Sequence, residues 1–294
     1  MRKLALNRLD AFFAGIAERE TLYLPVDTPA GAKFEPWERG KTLSDALNTV
    51  RSAKDFFFPQ TENLMDFKTE GKKIEIIDTR RECEDFVIFG VRACDVRSFD
   101  VLDKVFLSEP ADSYYKNRRE HGVIVSLACT KPLETCFCGT FGIDAASPAG
   151  DVTAWKTEDA LYLAANTEKG RALLKLVEDL TEDADEAPVA EQQKVTRARM
   201  KKLPLANLTA EKFGAGKTDE FFGDPAWAEL SQSCLGCGTC TFVCPTCQCY
   251  DIKDFNTGHG VRRFRCWDSC MYSEFTKMSA GQPRLTQLER FRQR

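Results

Sequence analysis

Histidine is scarce in this chain, with two residues in 294. His121 and His259 stand in neither zinc-ligand spacing nor a pairing with a nucleophile, so Cys–His hydrolase chemistry has no support. A glycine-rich dinucleotide fingerprint and a phosphate-binding loop are both missing, and the chain shows no NAD(P) or ATP site of its own. Neither sign of charge dominates: 41 basic and 45 acidic side chains leave a net charge of -4. That balance gives no reason to expect a nucleic-acid partner. No apolar run approaches the roughly 18 residues that cross a bilayer. The stretch from Leu4 to Ile16 is broken by Asn7, Arg8 and Asp10, unlike the core of a secretory signal. Hydrophobic residues at 43% and charged residues at 29% are an ordinary globular balance, enough for one large domain or two smaller ones.

Cysteine, by contrast, is abundant. Thirteen is an odd number, which does not close into a disulfide framework. A chain of this length does not need disulfide staples either, so the expected setting is the reducing cytosol, with the thiols serving metal or redox chemistry. Cys83, Cys94, Cys129, Cys136 and Cys138 lie in the first half. After a long gap, Cys234, Cys237, Cys240, Cys244, Cys247, Cys249, Cys266 and Cys270 crowd towards the end. The split predicts two cofactor-bearing regions.

The strongest motif is Cys234-Leu-Gly-Cys237-Gly-Thr-Cys240-Thr-Phe-Val-Cys244-Pro245. Three cysteines at intervals of three and a fourth before proline match the bacterial ferredoxin run that binds a [4Fe–4S] cluster. A cubane offers one iron at each corner, and closely spaced thiolates reach several corners only if the backbone wraps tightly. Gly236 and Gly238 allow that wrap. Zinc also takes paired cysteines, but its ribbons pair two knuckles across a longer gap. In two-cluster ferredoxins the fourth cysteine of a run ligates the other cluster. Cys244 therefore either completes this cluster or serves another. Cys247, Cys249, Cys266 and Cys270 are the further candidates, with Cys249 and Cys270 favoured beside Tyr250, Trp267 and Tyr272.

The first half reads as α/β. Lys73–Ile77 alternates as a strand, and Asp85–Gly90, Gly122–Ala128 and Leu161–Ala164 are strand candidates. Val96, Phe99, Val101, Leu102, Val105 and Phe106 have helical spacing, with Asp95 as the predicted cap. A helix is also expected over Leu173–Leu180. Cys94 opens the predicted helix after one strand, and Cys129, Cys136 and Cys138 follow another. If those strands are parallel neighbours, all four thiols meet at the carboxyl edge of the sheet, where a second [4Fe–4S] cluster would fit. The alternative is that Cys94 and Cys129 are packing thiols. Cys83 has no assigned role. Arg92 and Arg97, flanking Cys94, are read as salt-bridge residues, or as holding a flavin or a partner's carboxylate.

Several segments together resemble the dicluster ferredoxin subunits, a group that includes the β subunits of cytosolic NiFe sulfhydrogenases and the equivalent ferredoxin-type subunits of anaerobic sulfite reductases. They are Cys234–Cys249 with Thr246-Cys-Gln-Cys-Tyr-Asp251, Arg265-Cys-Trp-Asp-Ser-Cys270, Pro283–Arg294, Phe89-Gly-Val-Arg-Ala-Cys-Asp95 and Cys136-Phe-Cys-Gly139. The resemblance implies a non-catalytic subunit. It would relay electrons between a flavin subunit that handles NAD(P)H and a catalytic redox subunit. The family continues beyond the Arg-Phe-Arg-Gln-Arg segment into a second cysteine-rich run. The 294 residues stop at Arg294, so the chain is expected to be a piece of a longer protein or to lack that run.

The expected architecture is an α/β domain over 1–180, a helical, solvated connector over 181–224, and an α-helical ferredoxin-like iron–sulfur domain over 225–294. The expected ligands are Cys234, Cys237, Cys240 and Cys244 with Cys249 and Cys270, and separately Cys94, Cys129, Cys136 and Cys138. The competing reading makes the α/β region a flavin- or deazaflavin-binding reductase module with the cluster as its electron outlet.

Overall fold

The computed structural model describes residues 1–80, 83–211 and 216–294. The chain forms two compact units, one of Met1–Phe57 and Cys83–Leu208, the other of Phe58–Glu82 and Thr209–Arg294.

The strands are β1 (Arg2–Ala5), β2 (Thr21–Thr28), β3 (Gly31–Pro36), β4 (Thr61–Glu70), β5 (Lys73–Asp78), β6 (Phe86–Val91), β7 (Gly122–Leu127), β8 (Val152–Lys156), β9 (Ala160–Ala165), β10 (Glu182–Asp183), β11 (Tyr250–Asn256) and β12 (Gly260–Trp267). The larger unit holds an eight-stranded sheet in the order β10-β1-β9-β8-β7-β6-β2-β3. β2, β6, β7 and β8 are parallel neighbours, and the flanking pairs are antiparallel. Every residue of β6 and β7 is buried. Such unbroken apolar runs suit strands covered on both faces. On one face Leu4, Phe12, Phe13 and Ile16 pack with Val87, Phe89 and Val125. The helix Ala93–Phe106 buries Ala93, Val96, Phe99, Leu102 and Phe106, and leaves Val101 and Val105 exposed.

Three local expectations change. Asp95 lies inside the first turn of that helix, and Arg92 is the capping residue, without a side-chain cap bond. An acidic group in the first turn still complements the helix dipole. The helix expected over Leu173–Leu180 runs over Glu168–Leu176, because the Thr167 hydroxyl accepts from the Gly170 amide and starts it earlier. Within 181–224, Ala187–Met200 is helical and buries Val189 and Thr196, so one face of that helix is packed and not solvated. Residues 212–215 of this stretch lie outside the described residues, as do 81–82 beside Cys83.

The smaller unit is not mainly helical. Its helices are short: Thr218–Phe222, Ala226–Leu230, Thr239–Phe242 and Gln287–Gln293. Its frame is a four-stranded antiparallel sheet in the order β11-β12-β4-β5. The physical reason is strand pairing across the chain, with β12 lying against β4 and Arg265 opposite Glu62. Those two side chains form a buried ion pair at 2.5 Å, with 2% and 6% of their side-chain surfaces exposed. The guanidinium lies 5.1 Å from the Phe58 ring centroid, and Phe58 stacks on Trp267 at 5.8 Å. Phe242 joins this cluster edge-on, 5.8 Å from Trp267.

Candidate metal centres

None of the thirteen cysteines is in a disulfide. In the larger unit, β6 and β7 are parallel neighbours, so their carboxyl ends emerge side by side. Cys94 is the second residue of the helix that follows β6, and Cys129 lies two residues beyond the end of β7. The loop from Cys129 towards β8 then brings round Cys136 and Cys138. Its shape is held by the Cys129 amide donating to Ala145 O at 2.9 Å and the Cys136 amide to Leu133 O at 3.0 Å. The four thiols share one electrostatic neighbourhood. Cys94 and Cys138 are hydrogen-bonded to each other, which pushes Cys94 up and brings Cys138 down to about 7. Burial pushes Cys129 up to about 11, opposed by Arg92 and reinforced by Cys138 and Cys136. Burial also raises Cys136, with Cys138 adding to the effect. Crowded thiols of this kind give up their protons when cations arrive to share the charge.

Arg92 anchors this edge. Its Nε donates to Leu47 O at 3.1 Å, Nη2 to Ala46 O at 3.1 Å, and Nη1 to the carbonyls of Leu127 and Ala128 at 3.3 Å. The guanidinium is thus engaged by backbone carbonyls, where the sequence favours a salt bridge over a flavin or a partner's carboxylate. Arg97 pairs with Asp100 on its own helix. Burial pushes the neighbouring Asp95 up to about 6, against the pull of Arg92.

In the smaller unit, the run from Cys234 turns on two glycines with left-handed backbones, Gly236 at φ 67° and Gly238 at φ 75°. A Cβ on Gly238 would come within 2.7 Å of Tyr272 Oη, so this position suits glycine for space as well as for backbone. Tyr272 Oη in turn donates to Cys237 O at 3.3 Å. The short helix Thr239–Phe242 carries Cys240. Its buried Thr241 hydroxyl lies 2.7 Å from Gly238 O and 2.8 Å from Ser269 Oγ, which ties the run to the Cys266–Cys270 loop.

Three sulfurs of the run have polar neighbours that the motif alone does not reveal. Gln287 Nε2 donates to Cys234 Sγ at 3.2 Å. Thr239 Oγ1 lies 3.3 Å from Cys237 Sγ, and Thr246 Oγ1 lies 3.2 Å from Cys244 Sγ. Two of the three carry a local signal, a threonine two residues after Cys237 and after Cys244. Cys237 is lowered by its Thr239 bond. Cys244 is brought down to about 4, first by a hydrogen bond with Cys247 and further by Thr246, with burial opposing. Cys270 is raised by burial, then by Cys249, while Arg294 opposes. Cys240, Cys244 and Cys247 all lie close enough to Arg294 to stabilise its charge. Cys249 and Cys270 therefore stand together near Cys240, and Cys247, which the sequence does not favour, joins them. Tyr250 and Tyr272 are partly exposed, and Trp267 is the buried aromatic beside this loop. Cys266 sits in β12 opposite Asp251, and Cys83 donates weakly to Glu84 O at 3.7 Å.

Among the described residues no three His, Cys, Asp or Glu side chains stand close enough to hold a single metal ion. The spacing of the Cys234–Cys244 run suits a polynuclear core in which each iron takes one sulfur. Among the described residues no helix is long and apolar enough to cross a membrane.

Comparison with known proteins agrees with this chemistry. The family model described as a 4Fe-4S dicluster domain matches residues 233–294. Sulfhydrogenase 2 subunit beta of Pyrococcus furiosus is 32% identical over 299 residues, covering 99% of this chain and 86% of the relative. No solved structure matches.

Proposed function

This chain belongs to the sulfhydrogenase β-subunit family of iron–sulfur electron-transfer proteins and carries [4Fe–4S] clusters, and on that basis we propose that it relays single electrons between a flavin- and NAD(P)H-binding oxidoreductase subunit and a catalytic redox subunit. The relative's name makes it one subunit of a sulfhydrogenase, which supports assembly with partner subunits here. The clusters supply one-electron storage, often at low potential. The observation that carries the reading is the cysteine run folded on two left-handed glycines, with hydrogen-bonding groups against three of its sulfurs.

The protein's own residues supply the thiolates and orient them. In this reading Cys234, Cys237, Cys240 and Cys244 are ligands of the C-terminal region, with Cys249 and Cys270 supplying further thiolates. Cys94, Cys129, Cys136 and Cys138 form a separate set on the α/β unit. Thr239 and Thr246 steady the anionic sulfurs beside them, and Phe242 and Trp267 form an apolar shell, which governs solvent access to such a site.

The test is anaerobic purification with assays of iron, acid-labile sulfide, zinc and flavin, and EPR of the dithionite-reduced protein. Two cubanes predict about eight iron and eight sulfide per chain. Zinc without sulfide overturns the electron-transfer reading, and tightly bound flavin in the isolated chain turns it into a reductase module.

A further inference from the structure

The basic segment Pro283–Arg294 has no part in the ligand assignment, yet two of its side chains reach the cysteine run. The helix Gln287–Gln293 starts on a capping box: the Glu289 amide donates to Thr286 Oγ1 at 3.3 Å, and the Thr286 amide donates to Glu289 Oε2 at 2.7 Å. So short a helix needs tertiary support. It receives that support from Phe291 edge-on to Trp227 at 6.3 Å and from Arg292 over the Phe222 ring at 4.0 Å.

Held in this way, Gln287 places Nε2 3.2 Å from Cys234 Sγ. The amide cannot turn over freely, because Arg290 Nη2 donates to Gln287 Oε1 at 3.2 Å. Arg290 is itself fixed by Nη1 donating to the carbonyls of Arg284 and Leu285 at 3.1 Å. With the oxygen taken by a guanidinium, the NH2 group is the one that faces sulfur. Gly236 makes room, since a Cβ there would lie 3.0 Å from Gln287 Oε1. At the far end of the helix, Arg294 Nη2 donates to Cys240 O at 2.8 Å.

We propose that this segment sets the reduction potential of the cluster bound by the C-terminal run: Gln287 donates to the Cys234 sulfur, Arg290 positions Gln287, and Arg294 holds a positive charge against Cys240. Reduction adds one electron to an already anionic group of sulfurs. A donor on a ligand sulfur and a fixed cation nearby stabilise that extra charge, so both raise the potential. Arg290 is a positioning residue, acting through Gln287. The inference rests on the assignment of Cys234 and Cys240 as ligands.

The experiment is an EPR-monitored potentiometric titration of the full chain and its variants, with iron and sulfide counted in every sample. Gln287→Met keeps the shape and removes the donor. It is expected to lower one midpoint by about 59 mV, equivalent to about a tenfold loss in the one-electron reduction constant, and to leave the other signals in place. Arg294→Met is expected to move the same midpoint in the same direction, and Arg294→Lys to restore most of the shift. Arg290→Met, which leaves the amide present but free to rotate, is expected to give a smaller fall and decides the matter if Gln287→Met loads incompletely. Unmoved midpoints in fully loaded Arg290→Met and Arg294→Met proteins overturn the inference. A Cys234→Ser protein that keeps the full iron and sulfide of the parent overturns the ligand assignment instead.

Discussion

In the larger unit the thiols stand at the ends of two strands buried along their whole length, above a core in which Phe12, Phe13 and Phe89 are at most 1% exposed. In the smaller unit, β5 and most of β11 are exposed, and the centre of the sheet is an ion pair beside stacked aromatics. The thiols differ in the same sense. Cys94 and Cys138 bond to each other, and Cys129 is raised mainly by burial. Cys234 and Cys237 instead have polar side chains from outside the cysteine set against their sulfurs, and Cys244 has Thr246 as well as Cys247. One region stores its thiols in a fold that an apolar core sustains. The other depends on polar stitches, and its fold is expected to lean on the clusters themselves.

Iron removal probes that contrast most strongly. Chelation under reducing conditions is expected to abolish amide-exchange protection in β4, β11 and β12 while β6 and β7 stay protected, because metal-binding energy becomes folding energy where the apolar core is small. Equal loss in both units would erase the distinction. A more moderate effect is expected from Glu62→Gln, which leaves the Arg265 guanidinium buried without its countercharge. Breaking a buried pair in this way costs about 3–5 kcal/mol, and denaturant titration followed by Trp267 environment and by exchange should place the loss in the smaller unit alone. The smallest effect is expected from Glu20 in the larger unit. Burial, reinforced by Asp85, raises its carboxyl above the ordinary value of 4.5. An acid raised on folding binds its proton more tightly in the native state, so its charge destabilises the fold as pH rises through that raised value. Glu20→Gln should therefore gain a little stability at pH 7, and the gain should vanish below pH 4.5 in the same denaturation assay. A gain that persists in acid would mean packing, not charge, is responsible.

Much of the α/β frame is legible in the chain because it is local. Phe86–Val91 and Gly122–Leu127 are uninterrupted apolar runs, and each ends just before a cysteine, so parallel pairing alone brings Cys94 near Cys129 and the Cys136-Phe-Cys138 loop. Two features mislead. Asp95 resembles a cap because spacing does not say which residue turns into the helix, and Arg92 takes that place. The C-terminal region resembles a helical ferredoxin because its cysteines dominate the pattern. The Thr257-Gly-His-Gly260 turn is a hairpin signal, but the partner strand β4 lies far away in the chain, with Glu62 and Arg265 separated by 203 positions.

The cofactor chemistry is written in the linear order of residues, because the spacing from Cys234 to Pro245 and the glycines between are a local code for wrapping a cubane. The existence of two groups of thiols is written there too. Which thiols are neighbours, and what else stands beside their sulfurs, is settled by folding alone. Strand order gathers Cys94 with Cys138, and the packed helix at Gln287–Gln293 carries Gln287 to Cys234 across 53 positions. Contacts of that range arise from burial and pairing throughout a unit, and no short stretch of residues encodes them.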